Sequence, residues 1–262
     1  MTLLSASRLI IYERIFWYTI QGTRKRDLMI KRYRTEWKYL CSQRTGVILY
    51  ERLRNALVPD SHAAPDGTYQ IHSLYFDDHQ DSCAADNEAG IDTRVKYRIR
   101  SYGTNARSLH FEEKKKVDGR TYKSYCSLSD EAAKLLVTGK MNELFWQTQD
   151  PLLKRFCIAG MTKNYEPKLF ISYKRAALVE PALNVRVTFD SQISVASSEL
   201  RFIPADKRSL FPLFSDNNLI LEVKFDDFLP GWIRQIIESE QILITSFSKY
   251  YLGRKRLESV YR

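Results

Sequence analysis

The 262 residues carry 41 Lys and Arg against 31 Asp and Glu, a formal net charge of +10, and 44% of them are hydrophobic. With 27% charged residues, 10 Gly and 8 Pro, the chain is neither too polar to collapse nor a collagen-like or low-complexity repeat. The length allows one or two domains, and 16 Tyr with 13 Phe favour strands over a helical bundle.

Residues 1–30 are set aside as an N-terminal extension. Leu9 to Ile20 is apolar and aromatic, but Glu13 and Arg14 interrupt it, whereas a spanning helix needs about 20 nearly uncharged residues. No small-residue cleavage site follows, so the segment fits a signal peptide poorly. Residues 31–262 read as one domain without a linker or an internal repeat.

Period-two alternation predicts a strand over Arg34 to Tyr39, with Arg34, Glu36 and Lys38 on one face and Thr35, Trp37 and Tyr39 on the other. Ser42 to Leu57 is predicted helical through Val47, Leu49 or Tyr50, Leu53 and Leu57, with Gly46 a weak spot and Pro59 a stop. The turn at Pro65-Asp66-Gly67 leads into a strand over Tyr69 to Phe76. Arg94 to Arg100 then sets Arg94, Lys96, Arg98 and Arg100 opposite Val95, Tyr97 and Ile99. Leu109 to Val117 places Glu112, Lys114 and Lys116 on one face, and Asp118-Gly119 predicts a type I′ hairpin returning through Arg120 to Leu128.

Ser129-Asp130-Glu131 opens a helix to about Val137, and a second is predicted over Asn142 to Ile158. Strands resume at Lys168 to Arg175, Asn184 to Asp190 and Leu219 to Phe225, the last with Glu222 and Lys224 sharing a face. Pro230 sits at or near the first turn of a helix carrying Trp232, Ile233, Ile236 and Ile237, and the tail from Ile242 to Gly253 has no sequence boundary. Cys41, Cys83, Cys126 and Cys157 form no C-x-x-C pair, so reduced thiols in an intracellular protein are expected.

Six segments place cations, often with a Glu two residues away, opposite an apolar set. Two readings follow. The charged faces can converge inside a closed antiparallel barrel as a cationic cavity that a polyphosphate neutralises, with the apolar faces packed outward on helices. Alternatively they are the solvated faces of a sandwich.

Taken in order, Arg34-x-Glu36-x-Lys38-Tyr39, Ser73-Leu74-Tyr75-Phe76-Asp77, Lys96-Tyr97-Arg98-Ile99-Arg100, Phe111-Glu112-x-Lys114-x-Lys116, Tyr173-x-Arg175, Arg186-Val187-Thr188-Phe189-Asp190, Leu221-Glu222-Val223-Lys224 and Ser248-Lys249-Tyr250 form a set. From about residue 31 to residue 253 this set resembles the VTC domain, the polyphosphate polymerase member of the triphosphate tunnel metalloenzyme superfamily, in its stand-alone bacterial form. The resemblance implies an α+β fold, an antiparallel β-barrel tunnel flanked by helices. It also implies transfer of the γ-phosphate of ATP to a growing polyphosphate or pyrophosphate acceptor with Mn²⁺ or Mg²⁺.

Carried over motif by motif, Lys38, Arg98, Arg100, Lys114, Arg175 and Lys249 are the catalytic cations. Lys123, Tyr173, Arg186, Ser248, Lys116 and Lys224 are further phosphate-binding residues. Glu222 is the metal carboxylate, with Glu36 and Glu112 in support or ion-paired inside the tunnel. Alternatives within the resemblance are a tunnel tripolyphosphatase or nucleoside triphosphatase and a non-catalytic polyphosphate-binding subunit. A cytoplasmic place, peripheral at the inner face of the membrane beside a membrane protein that accepts polyphosphate, is a further expectation.

The sequence departs from the family pattern at Thr245-Ser246-Phe247, where a further lysine is expected, and Glu113 with Lys115 makes a one-residue register slip conceivable. No SPX-like region is expected before the domain, so regulation by inositol pyrophosphates is not expected to apply. P-loop, Rossmann and zincin motifs are absent from the sequence, and His62, His72, His79 and His110 lack metal-ligand spacing. RNA binding is not expected, because the aromatics alternate onto the face opposite the cations, whereas base stacking needs both on one face.

Overall fold

Alternating sequence becomes strand wherever one face can be buried, and a computed structural model, which describes residues 34–103, 108–197 and 210–261, shows where each face goes. In chain order the elements are β1 (Thr35–Cys41), α1 (Gln43–Leu53), β2 (Val58–Pro59), β3 (Thr68–Asp77), α2 (Ser82–Glu88), β4 (Arg94–Tyr102), β5 (Leu109–Val117), β6 (Arg120–Leu128), α3 (Asp130–Val137), α4 (Met141–Gln147), α5 (Pro151–Lys163), β7 (Glu166–Glu180), β8 (Val185–Ser197), β9 (Phe211–Pro212), β10 (Leu219–Phe225), α6 (Gly231–Glu238) and α7 (Lys249–Tyr261). The expected extension over residues 1–30 lies outside the described residues. Among the described residues no helix is long and apolar enough to cross a membrane.

The fold is α+β, built on one antiparallel sheet with strand order β1-β10-β8-β7-β3-β4-β5-β6, with β2 added to β7 and β9 to β8. The sheet curls until its two edges touch. Arg34 and Thr121 exchange two backbone hydrogen bonds of 3.0 Å, but no ladder extends from that bridge. Side chains cross the seam instead, Lys114 of β5 reaching Glu36 of β1 at 2.7 Å. The closed barrel expected from the sequence is therefore a curled sheet whose edges are joined by one backbone bridge and by side chains across the seam.

β4, β5 and β6 form an antiparallel meander through the expected hairpin, with Arg98 opposite Glu112 and Lys114 opposite Lys123. Asp118 and Gly119 have φ of 49° and 74°, the left-handed pair that a type I′ turn requires. The helix expected over Asn142 to Ile158 is two helices. Pro151 disfavours helical backbone at Asp150, which is extended (φ −70°, ψ 124°) and accepts hydrogen bonds from the amides of Leu152 and Leu153 as the α5 cap. α1 stops at Leu53 rather than Leu57, and Val58–Pro59 leaves it to pair with β7. Val47 is exposed, and Gly46 faces the sheet, where an added Cβ would lie 2.3 Å from Leu219 Cδ2. The weak spot in the sequence is a close approach of helix to strand.

Two apolar clusters lie outside the curl, as expected. Leu74, Phe76, Ile99 and Phe111 pack on α3, α4 and α5, with Phe156 wedged 4.6 Å from Phe111 and 5.3 Å from Phe76 by ring centroids. Val187, Leu221 and Val223 pack on Leu49 and Leu53 of α1 and on Ile233 and Ile237 of α6. A third cluster corrects the expectation that apolar faces all point outward. Ile71, Ile171 and Ile220 lie in one cluster with Tyr75 and Tyr173, residues that line the cavity described below, and α7 covers them with Tyr250 and Leu257. At Gly253 of α7 an added Cβ would lie 2.6 Å from Leu169 Cδ2 and 3.0 Å from Val195 Cγ1, so this helix beds directly against β7 and β8.

Candidate phosphate-binding cavity

The inward face encloses a cavity of about 630 Å³. Its wall carries ten cations, Lys38, Arg94, Lys96, Arg98, Arg100, Lys114, Lys116, Arg175, Lys224 and Lys249, against three carboxylates, Glu36, Glu88 and Glu222. Strand alternation supplies most of them, since β4 contributes four cations from every second residue. The segment before α7 closes the wall: Thr245 donates its amide to Lys38 O at 2.7 Å, and Lys38 Nζ donates to Phe247 O at 2.8 Å.

Two buried carboxylates aim the arginines from behind. Glu112, 1% exposed, accepts from Arg98 Nε at 2.7 Å and Arg98 Nη2 at 2.6 Å, lies 3.6 Å from Arg100 Nη1, and pairs with Lys123 Nζ at 2.5 Å. Asp190, fully buried on β8, accepts from both Arg175 Nε at 2.5 Å and Arg175 Nη2 at 2.7 Å, and from Lys249 Nζ at 2.6 Å. Burial pushes both carboxyls up, and the facing cations outweigh it, bringing Asp190 down to about 2 and holding Glu112 below the usual carboxylate range. Some further donors settle on neutral oxygens, Arg98 Nη1 on Tyr75 Oη at 2.7 Å and Arg100 on Ser73 Oγ at 3.3 Å and Tyr173 Oη at 3.1 Å, which leaves other guanidinium N–H groups for a ligand.

Glu222, 5% exposed, lies 3.2 Å from Lys224 Nζ, 3.8 Å from Arg175 Nη2 and 3.9 Å from Lys38 Nζ. Burial raises its carboxyl, but Lys224, Lys38 and Lys114 hold it well below its ordinary value. Burial brings Lys96 and Lys224 down to about 8. The Tyr75 phenol is pushed up by burial, yet the charges of Arg98 and Arg100 and the Arg98 hydrogen bond win and lower it to about 8. Burial lowers Lys38, Lys96 and Lys224, whereas Glu112, Asp190 and the neighbouring phenols outweigh burial and raise Arg98, Arg100, Arg175 and Lys249, so the wall combines neutralised cations with lysines that a bound anion would stabilise.

Lys38, Arg98, Arg100, Lys114, Lys116, Tyr173, Arg175, Lys224, Ser248, Lys249, Glu36 and Glu222 all line this one cavity. Lys123 and Glu112 stand behind the lining, joined to each other. Arg186 lies outside the lining, held by Asp60 and by Tyr69 Oη at 2.8 Å. Sequence reasoning missed Tyr75 and Asp190. Asp190 shares the period-two face of Arg186 and Thr188, a signal that was present in the sequence. The expected separation of aromatics from cations also fails, because Tyr75, Tyr173, Phe247, Tyr250 and Tyr251 stand in the same wall. Those on strands alternate inward in register, and the others arrive with α7 and the segment before it.

No three His, Cys, Asp or Glu side chains converge as a metal site among the described residues. A hard divalent cation takes six or more oxygens, so Glu222 and Glu36 fit a metal whose other ligands are phosphate oxygens and water. All four cysteines are free thiols, and burial pushes Cys83, Cys126 and Cys157 up to about 12, out of reactive range.

Residues 33–258 match the family model of the VTC domain. No curated protein matches the sequence. Among solved structures, a candidate adenylate cyclase of Bacillus halodurans is similar at 14% identity and TM-score 0.47, over 82% of this chain and 95% of that one. A candidate adenylyl cyclase of Hippeastrum, described as having a dominant triphosphatase activity, is similar at 14% identity and TM-score 0.49, over 85% and 95%. Protein PH1819 of Pyrococcus horikoshii is similar at 11% identity and TM-score 0.42, over 86% and 99%. The family match spans nearly all of the described sheet and its flanking helices, and the chain belongs to the VTC domain family.

Proposed function

We propose that the protein is a polyphosphate polymerase that moves the γ-phosphate of ATP onto the end of an inorganic polyphosphate or pyrophosphate chain. One observation carries the reading: ten cations face a single cavity with three carboxylates, an imbalance that a linear polyanion corrects. Family membership supports it.

Arg98, Arg100 and Arg175, fixed by Glu112 and Asp190, hold phosphate oxygens in forks whose direction is set before the substrate arrives. Lys38, Lys114, Lys224 and Lys249 spread the charge that grows on the transferred group and the leaving ADP. The acceptor is a terminal phosphate, anionic at neutral pH, so no strong general base is needed. Glu222, with Glu36 beside it, would hold a Mn²⁺ or Mg²⁺ entering with the nucleotide. Bound there, the metal neutralises phosphate oxygens.

The test is incubation of the purified protein with ATP, Mn²⁺ and pyrophosphate, with polyphosphate, ADP and free phosphate resolved. Long polyphosphate with ADP is expected. Free phosphate without polymer makes the protein a tunnel hydrolase, and binding without turnover makes it a polyphosphate-holding subunit.

The electrostatics set the pH dependence of binding. A bound polyanion favours the Lys96 and Lys224 ammonium groups and the neutral Tyr75 phenol, all of which lose a proton near pH 8 in the free protein. Binding above pH 8 therefore takes up protons, and affinity falls with rising pH, by up to about tenfold per group per pH unit. Calorimetric titration of tripolyphosphate at pH 7 and pH 9, in buffers of different ionisation enthalpy, is expected to show weaker binding with proton uptake at pH 9. Binding at pH 9 without proton uptake would mean that these groups do not face the anion.

A further inference from the structure

Lys96 differs from the other buried cations of the wall. Lys38, Arg98, Arg100, Lys114, Lys116, Arg175, Lys224 and Lys249 each have a carboxylate oxygen no further than 3.9 Å away. Arg94 donates to Ile91 O at 2.9 Å through an exposed guanidinium. Lys96 Nζ has no carboxylate at such a distance among the described residues. It donates to Ser248 Oγ at 2.7 Å and Asn87 Oδ1 at 3.2 Å, with the Tyr250 ring centroid 6.0 Å away.

A largely buried ammonium held only by neutral oxygens is costly unless a counter-charge completes it. The groups that act on it most strongly, Cys83, Tyr75, Lys38 and Arg94, include no carboxylate, and Lys38 and Arg94 repel it. Of the other titratable groups about it, Tyr250 presents its ring, while Glu88, the carboxylate of the lining next to Asn87, accepts from Tyr251 Oη at 3.0 Å. Its place in the strand gives the missing charge a direction. Lys96, Arg98 and Arg100 follow one another on one face of β4, about 7 Å apart at each step, so Lys96 stands about 13 Å from Arg100 along the strand. Asn87 of α2 and Ser248, next to the first residue of α7, bracket that outer position.

We propose that Lys96, between Asn87 and Ser248, is the outer phosphate-binding position of a linear track along β4 and makes the protein select extended polyphosphate over pyrophosphate. The proposal rests on the reading of the cavity as a polyphosphate site. A pyrophosphate seated on Arg98 and Arg100 is too short to touch Lys96, whereas a longer chain reaches it and supplies the absent counter-charge.

The experiment titrates wild type, Lys96→Gln and Lys96→Arg with pyrophosphate and with long-chain polyphosphate, and follows thermal unfolding without ligand. Lys96→Gln is expected to lose about tenfold or more in affinity for the long chain while holding pyrophosphate within about twofold. Lys96→Arg keeps the long-chain affinity. Without ligand, Lys96→Gln unfolds at a higher temperature than wild type, because an unneutralised charge is gone.

A second measurement holds the ligand constant: at pH 8.5 wild type takes up more protons than Lys96→Gln on binding the long chain, and the two proteins do not differ on binding pyrophosphate. Equal losses for both ligands, or none for either, overturn the outer position and leave the polyphosphate reading standing. Failure of wild type to bind either ligand overturns that reading, and the track falls with it.

Discussion

Glu112→Gln is expected to destabilise the ligand-free protein by about 3–5 kcal/mol, as removal of one partner from a buried ion cluster does. The substitution keeps the shape of the side chain, so no cavity opens. What changes is charge: Arg98, Arg100 and Lys123 lose the carboxylate they share at 2.6, 3.6 and 2.5 Å and face an amide that carries its own donors. Urea unfolding at pH 7 measures the loss, and saturating tripolyphosphate is expected to recover part of it by neutralising the freed guanidinium groups.

The pH dependence carries a sign. The Glu112 carboxyl is held below its unfolded value, so its contribution is complete above the unfolded pKa of about 4.3 and disappears only as pH falls further. The gap between wild type and variant should stay constant from pH 7 to about 5 and narrow below. A loss of less than about 1 kcal/mol at pH 7 would show that β4 and β5 hold their register without this cluster.

Glu222→Ala is expected to separate catalysis from binding. The variant removes a carboxylate lying among Lys38, Lys224 and Arg175, so the cavity becomes more cationic and should hold polyphosphate at least as tightly as wild type. Metal-dependent turnover should nevertheless fall by about 10²–10³-fold or more, the scale on which loss of one electrostatic stabiliser slows a reaction. Polymer yield and calorimetric affinity, measured on one preparation, test both halves. Turnover within about threefold of wild type removes Glu222 from the proposed chemistry, and loss of binding alongside turnover makes it a structural partner of the lysines.

Much of this arrangement is legible in the sequence because strand geometry forces it. Once Arg98 faces inward, Arg94, Lys96 and Arg100 must too, and the Asp118-Gly119 turn fixes which residues of β5 and β6 face them. What escaped notice depends on contacts between distant segments. Asp190 pairs with Lys249, 59 residues away, and no local pattern predicts that meeting. α2 is only seven residues long, too short to show a period, and its first amides are held by Asp77 and Asp78 at the end of β3. The extra length of β8 was hidden by a left-handed Gln192, where its register against β7 shifts and its alternation moves by a residue. The apolar patch inside the curl was missed because the inward face was assumed polar throughout, whereas α7 beds there on Leu169, Val195 and Ile220.

The pairing of β1 with β10 governs how the chain can assemble. Thr35 meets Phe225 and Cys41 meets Leu219, so the first described strand waits for one of the last. At a synthesis rate of about 5–20 residues per second, β1 leaves the ribosome roughly 10–40 s before its partner. During that interval β1 is an unpaired strand, the kind of segment that seeds aggregation. Its inward residues Glu36 and Lys38, placed for the finished cavity, then act as gatekeepers, because alternating charge along an unpaired strand discourages it from joining a neighbouring nascent chain.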